Sequence, residues 1–167
     1  VLFGFYLSWR ATRLHRLHHR VDTARAALEA ALERRLAAVS ALAAADGTDA
    51  TRALPGVAGA VGGARDRQRE LAESALSRTL RAALESPGPL ARSVMLRPYL
   101  VEVQAAAKGV HMARTFYNGA VSDTRRARRS LLVRTFRLAG TASLPDFFEI
   151  DDQPPRIPLL PVGPDSP

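Results

Sequence analysis

At 167 residues the chain has room for one domain with a real core, and 47% apolar residues set it apart from a disordered chain. It contains no cysteine, which excludes disulfides and thiolate metal sites. The formal charge is +8, carried almost wholly by arginine, with Lys108 the lone lysine. Such a balance suits anionic lipid or nucleic acid, yet an Ala- and Arg-heavy composition alone names no partner.

Residues 1–9 read Val-Leu-Phe-Gly-Phe-Tyr-Leu-Ser-Trp and are followed at once by Arg10, Arg13, Arg16 and Arg20. That order resembles the exit end of a transmembrane helix. Tyr6 and Trp9 suit the interfacial belt, and the arginines suit the cytoplasmic flank. Nine residues fall short of the roughly 20 needed to span a bilayer, so the rest of such an anchor is expected upstream. The expectation is a single-pass membrane protein with its body facing the cytoplasm. Small residues before a cleavage site, which a signal peptide would need, are missing here.

From about residue 10 to 45 the spacing predicts one long helix. Leu14, Leu17, Val21, Ala24, Leu28, Leu32, Leu36, Val39 and Leu42 recur at three- and four-residue steps and share a face. Asp46-Gly47-Thr48-Asp49 breaks the run, with Gly47 suited to a left-handed cap. Residues 46–64 are Gly-rich and read as a flexible connector. Gly59-Ala60-Val61-Gly62-Gly63 lacks the Gly-Lys-Ser/Thr ending of a phosphate loop.

A second helix is expected over 65–85, with Leu71, Ala75, Leu76, Thr79, Ala82 and Ala83 as its apolar face, ending at Ser86-Pro87-Gly88-Pro89. Pro98 fits the first turn of a third helix, from about 98 to 137. Its heptad seam runs through Tyr99, Val103, Ala106, Val110, Ala113, Tyr117, Ala120, Thr124, Ala127 and Leu131. The economical partner for that seam is the first long helix, running antiparallel. The alternative is an intermolecular coiled coil, hence a homo-oligomer. Residues 138–152 read as an aromatic and acidic segment, with Phe147 and Phe148 packing on the bundle. Residues 153–167 read as a proline-rich disordered or polyproline tail. The fold class is therefore all-α: an antiparallel helical bundle of two long helices and a shorter one, preceded by the end of a transmembrane helix.

The charge is uneven. Residues 10–35 balance at +4, residues 114–137 at +6 and residues 138–167 at −4. Arg125, Arg126, Arg128 and Arg129 cluster late in the third helix and, with Arg10, Arg13, Arg16 and Arg20, are the candidate contacts to an anionic surface. No aromatic interleaves the late cluster, which disfavours single-stranded nucleic acid. His15, His18 and His19 have the i, i+3, i+4 spacing of metal ligands. No carboxylate stands in that turn and arginines crowd it, so a hydrated basic face accounts for them better. Glu102 and Asp123 lie 21 residues apart on one helix, about 31 Å, too far to act as an acid–base pair. Neither a catalytic set nor a cofactor or metal site is predicted, and the chain is not read as an enzyme.

Ala113-Arg114-Thr115-Phe116-Tyr117-Asn118-Gly119-Ala120-Val121 resembles the Ala-Arg-x-Phe-Tyr-Asn-x-x-Val stretch on the last long helix of the LemA family. Arg20-Val21-Asp22-x-Ala24 and Arg34-Arg35 are similar to that family's opening helix, and Phe147-Phe148-Glu149 to its closing segment. The resemblance covers residues from about 15 to 150. It departs where Leu36-Ala37-Ala38-Val39 replaces a Pro-Asn-Leu stretch, as in a divergent member. It implies one N-terminal membrane helix and a cytoplasmic antiparallel bundle, without an assigned activity. For Ala113, Arg114, Phe116, Tyr117, Asn118 and Val121 the expected role is structural: packing and an interhelical hydrogen bond. The leading functional expectation is a membrane-anchored scaffold that engages a protein partner. The alternative is a basic domain that binds anionic lipid or nucleic acid.

Overall fold

The computed structural model describes residues 1–85, 88–129 and 143–158. Among these the protein is helical, with no strand. The helices are α1 (Leu2–Ala45), α2 (Leu54–Gly63), α3 (Asp66–Leu84), α4 (Pro89–Arg92) and α5 (Arg97–Arg128). The contacts divide the chain into two compact units. The first is Val1–Ala30 with Met112–Phe148, and the second is Ala31–His111 with Glu149–Pro167. No helix among the described residues is long and apolar enough to cross a membrane.

Helix α1 has neither glycine nor proline after Gly4, so nothing interrupts its hydrogen-bond ladder. In the first unit it runs antiparallel to α5, as expected. The Thr124 hydroxyl donates to Ala120 O (2.9 Å) and lies 3.4 Å from Leu17 O, Arg20 pairs with Asp123 at 3.3 Å, and Arg25 reaches Tyr117. Leu14, Val21 and Leu28 bury against this seam, with Tyr117, Ala120, Val121 and Thr124 on the facing helix. Burial of each leucine contributes about 1.5–3 kcal/mol.

The second unit holds the larger aliphatic core: Val39 and Leu42 from α1, Leu54 and Val61 from α2, Leu76, Leu80 and Leu84 from α3, Leu100 and Val103 from α5. The seam of α5 is broader than the expected heptad line. Leu100, Ala107 and Val121 are buried beside Val103, Ala106 and Val110, whereas Tyr99 is 39% exposed. A globular neighbour takes a stripe wider than the two positions per heptad of a coiled-coil seam. Leu131 and the rest of the third helix as expected, residues 130–137, lie outside the described residues.

The break after α1 is made differently from the expectation. Gly47 is not in the left-handed region. Instead Asp46, nearly buried, accepts hydrogen bonds from the Thr48 amide (3.3 Å) and from the Thr48 and Thr51 hydroxyls (2.7 and 2.8 Å). This closes the chain into a single 3-10 turn at Asp49–Thr51. The Gly-rich connector then forms α2 rather than a loop. Leu54, Ala58 and Val61 are buried at helical spacing, and Pro55 sits in the first turn. Their burial outweighs the roughly 1 kcal/mol that each helical glycine costs.

The buried face of α3 also differs from the expectation. Leu71 is 67% exposed, and the buried positions are Glu73, Leu76, Ser77, Leu80 and Leu84. Two of these are polar, and they meet a third polar residue, Arg35, on the core face of α1. Arg35 donates to Glu73 Oε2 (2.6 Å) and to Ser77 Oγ (2.7 Å), and the Ser77 hydroxyl donates to Glu73 O (3.2 Å). Both charged side chains are 1% exposed. A hydropathy pattern assigns these residues to the solvent, because it has no account of mutual neutralisation.

Candidate functional site

Two features of the first unit combine residues distant in sequence. One is its basic end. Since α5 runs antiparallel to α1, residues 125–129 lie beside the first turns of α1 and not at its far end. The two arginine clusters therefore converge where residues 1–9 emerge. Leu2, Phe3, Phe5, Tyr6 and Trp9 are exposed there. The Tyr6 and Trp9 rings stack at 6.3 Å, with Arg10 over Tyr6 (5.9 Å) and Arg13 over Trp9 (5.7 Å).

The eight candidate arginines separate by what they touch. Arg10, Arg13, Arg20 and Arg126 line a groove of about 440 Å³ floored by Leu14, Leu17 and Ala127. Among the described residues, Asp123, paired with Arg20, is the one carboxylate in its wall. Arg16 is exposed outside the groove. Arg125 and Arg128 hold the C-terminal segment instead. Arg125 donates to Pro145 O (2.7 Å) and Asp146 Oδ1 (2.6 Å), and Arg128 donates to Ser143 O (2.9 Å). Arg129 is exposed and, with Arg125, Arg128 and Leu144, borders a smaller depression. The C-terminal segment also supplies an aromatic neighbour to the basic cluster, since Arg125 lies 5.0 Å over the Phe147 ring. A scan along α5 alone could not find it.

The second feature is a clamp on that segment. Asn118 donates from Nδ2 to Phe148 O (3.1 Å) and accepts at Oδ1 from Phe148 N (2.9 Å). One side-chain amide thus pairs with both backbone groups of one residue, as a neighbouring strand would. Tyr117 is buried; its hydroxyl donates to Asp146 O (2.8 Å) and accepts from Arg25 (3.3 Å), whose guanidinium also lies over the ring (5.8 Å). The Tyr-Asn pair therefore binds the tail. Tyr117 and Val121 are buried, and Tyr117 bonds Arg25 on the facing helix. Asn118 bonds the tail, and Phe116 is 65% exposed. Ala113 and Arg114 are half-buried.

In the second unit the segment continues against α3 and α5. The Asp151 amide donates to Ser74 Oγ (3.0 Å), and the Asp151 carboxylate takes both arms of Arg81, one at 2.9 Å. His111 lies 3.1 Å from Asp152, and the Arg156 amide donates to Glu85 (3.2 Å). The hydrogen bond from Arg81 holds the Asp151 carboxyl below the usual aspartate range, against the opposing effect of burial. The same bond raises the Arg81 guanidinium. Arg34 and Glu102, bonded at 2.8 Å on the surface, shift each other likewise, Glu102 downward and Arg34 upward.

Two expectations for the tail change. The expected aromatic anchors are not the buried ones: Phe147 is exposed and Phe148 half-buried, while Pro145, Ile150, Asp152, Pro155 and Ile157 are buried. Residues 153–158, expected within a disordered or polyproline tail, follow a fixed path, and Ile157 joins the aliphatic core. The neighbours set this outcome: the Arg156 amide donates to Glu85, the Gln153 amide donates to the Asp151 carboxylate that Arg81 holds, and Ile157 enters the core. Residues 138–142 and 159–167 lie outside the described residues.

Among the described residues no group of three or more His, Asp or Glu side chains is placed to hold a metal ion. His18 donates from Nδ1 to Leu14 O (3.1 Å), so its ring engages the backbone of its own helix, and His19 Nδ1 lies 3.4 Å from the Thr23 hydroxyl. No family model, curated protein or solved structure matches the chain.

Proposed function

We propose that the chain is the body of a membrane-tethered helical module, with residues 1–9 as the exit end of the anchoring helix and the body on the cytoplasmic face. In this reading it is a divergent member of the LemA family and works as a scaffold, without catalysis of its own. The observation that carries the membrane half is the convergence at one end of the first unit. Exposed Phe5, Tyr6 and Trp9 are bordered there by arginines from both long helices. An interfacial aromatic belt next to a basic collar suits an anionic leaflet.

The scaffold half is supported by Met112 and Phe116, one helical turn apart on α5 in the first unit and 58% and 65% exposed. Two large apolar side chains on one exposed face form a patch that a protein partner could cover. The test uses the full-length protein. In sealed inside-out vesicles external protease should digest the body, and in right-side-out vesicles it should not; the reverse pattern would refute the topology. A photo-crosslinker at position 116 should capture one defined protein that a crosslinker at the surface residue Glu29 does not. Equal, diffuse products at both positions would refute the scaffold.

A further inference from the structure

We propose that the groove between α1 and α5 in the first unit is a binding site for a phosphate ester. Four arginines, Arg10, Arg13, Arg20 and Arg126, border a concavity of about 440 Å³, within the range of small-ligand sites. They face one carboxylate, Asp123, which is 3.3 Å from Arg20. With Arg20 offset by Asp123, Arg13 and Arg126 still leave the described walls with a surplus of positive charge that a bound anion would relieve. Guanidinium is the side-chain group best matched to phosphate, because its planar fork bonds two oxygens at once. The floor of Leu14, Leu17 and Ala127 offers apolar contact to the carbon skeleton of an ester, a contact of no use to a bare ion.

Depth selects the head group of an anionic phospholipid as the source of that phosphate. A helix rises 1.5 Å per residue, so Arg10 and Arg13 stand about 1.5 and 6 Å beyond Trp9. The head-group layer of one leaflet is about 5–8 Å thick. With Tyr6 and Trp9 at the interface, Arg10 and Arg13 fall at phosphate depth. Arg126, three residues beyond Asp123 on the antiparallel helix, has its backbone about 4.5 Å nearer the aromatic end than the Arg20–Asp123 pair, about 12 Å beyond Trp9, and meets the head groups only through the length of its side chain. Arg20, about 16 Å beyond Trp9, closes the far end of the groove outside the head-group layer. This placement rests on the membrane reading above; the chemistry of the groove does not.

The test compares the full 167-residue chain with two double variants of equal charge. Arg13→Gln/Arg126→Gln alters the groove, and Arg16→Gln/Arg129→Gln alters exposed arginines outside it. All the replaced side chains are exposed, and circular dichroism checks that both variants keep their helix content. Each protein is titrated with vesicles of phosphatidylcholine alone, with vesicles containing phosphatidylglycerol, and with soluble glycerol phosphate. A head-group site predicts that the groove variant loses at least tenfold more affinity for phosphatidylglycerol vesicles than the control variant. Loss of glycerol phosphate binding in the groove variant alone, with equal vesicle binding, assigns the site to a soluble ester. Equal behaviour of the two variants in both titrations overturns the site and leaves only delocalised attraction. Tighter wild-type binding to single-stranded DNA than to phosphatidylglycerol vesicles at equal phosphate concentration also overturns it. Phosphatidylcholine vesicles report residues 1–9, so failure to bind them counts against the membrane reading and not against the groove.

Discussion

Replacing Arg35 by methionine should strongly destabilise the second unit. The substitution keeps the aliphatic stem and removes the guanidinium. It strands the Glu73 carboxylate, 1% exposed, with Arg69 Nε at 3.9 Å as its nearest remaining cation. Removing one partner of a buried ion pair costs about 3–5 kcal/mol. Against a typical total of about 5–15 kcal/mol, that is about a fifth or more of the stability. At a urea m-value of about 2 kcal/mol/M, the midpoint should fall by about 2 M. The double variant Arg35→Met/Glu73→Leu should recover to within about 1 kcal/mol of wild type, since no charge is left buried. Ser77 needs no replacement, because its hydroxyl already donates to Glu73 O within its own helix. Urea titration followed by helical circular dichroism measures all three proteins, with an unchanged m-value as the check on comparability. High salt should leave the difference intact, because the pair is shielded from solvent. A loss below 1 kcal/mol in Arg35→Met, or a double variant as unstable as the single, would refute the reasoning.

Three further outcomes follow from the same geometry. Asn118→Ala removes both bonds to Phe148, so exchange of the Phe148 amide should accelerate about tenfold or more while the Val121 amide stays protected; hydrogen exchange by NMR reads both. Leu54→Ala should destabilise by about 2–5 kcal/mol, whereas Leu71→Glu should stay within about 0.5 kcal/mol, as thermal melts would show. Asp151 is depressed in the folded protein by Arg81, so its contribution is present above the ordinary aspartate range and is lost as pH falls through the depressed value. Arg81→Gln should return the carboxyl towards its ordinary range and move detachment of residues 149–156 to higher pH; an unchanged NMR titration of Asp151 would contradict this.

The long elements were legible in the chain because their signal is local. Leu14, Val21, Leu28, Leu32, Val39 and Leu42 repeat at helical spacing, and all six are buried. The same holds for Val103, Ala106, Val110, Tyr117 and Ala120 on α5. Their antiparallel pairing followed from economy, since two long apolar stripes in one chain cover each other. The arginines of the candidate site were also visible, because charge clusters can be counted.

Only tertiary structure decided the rest. It turned α3 so that Glu73 and Ser77 face inward, because Arg35 waits on the opposite helix to neutralise them. It made a helix of a Gly-rich connector, because Leu54 and Val61 had a core to enter. It gave Asn118 the tail as its partner, 30 residues away, where a helix was expected. It also sorted eight arginines into four that share a groove, two that hold a backbone, and two left exposed. Periodicity shows which side of a helix avoids water. A polar side chain is placed by the partner that satisfies it, and that partner is set by the fold and not by its neighbours in sequence.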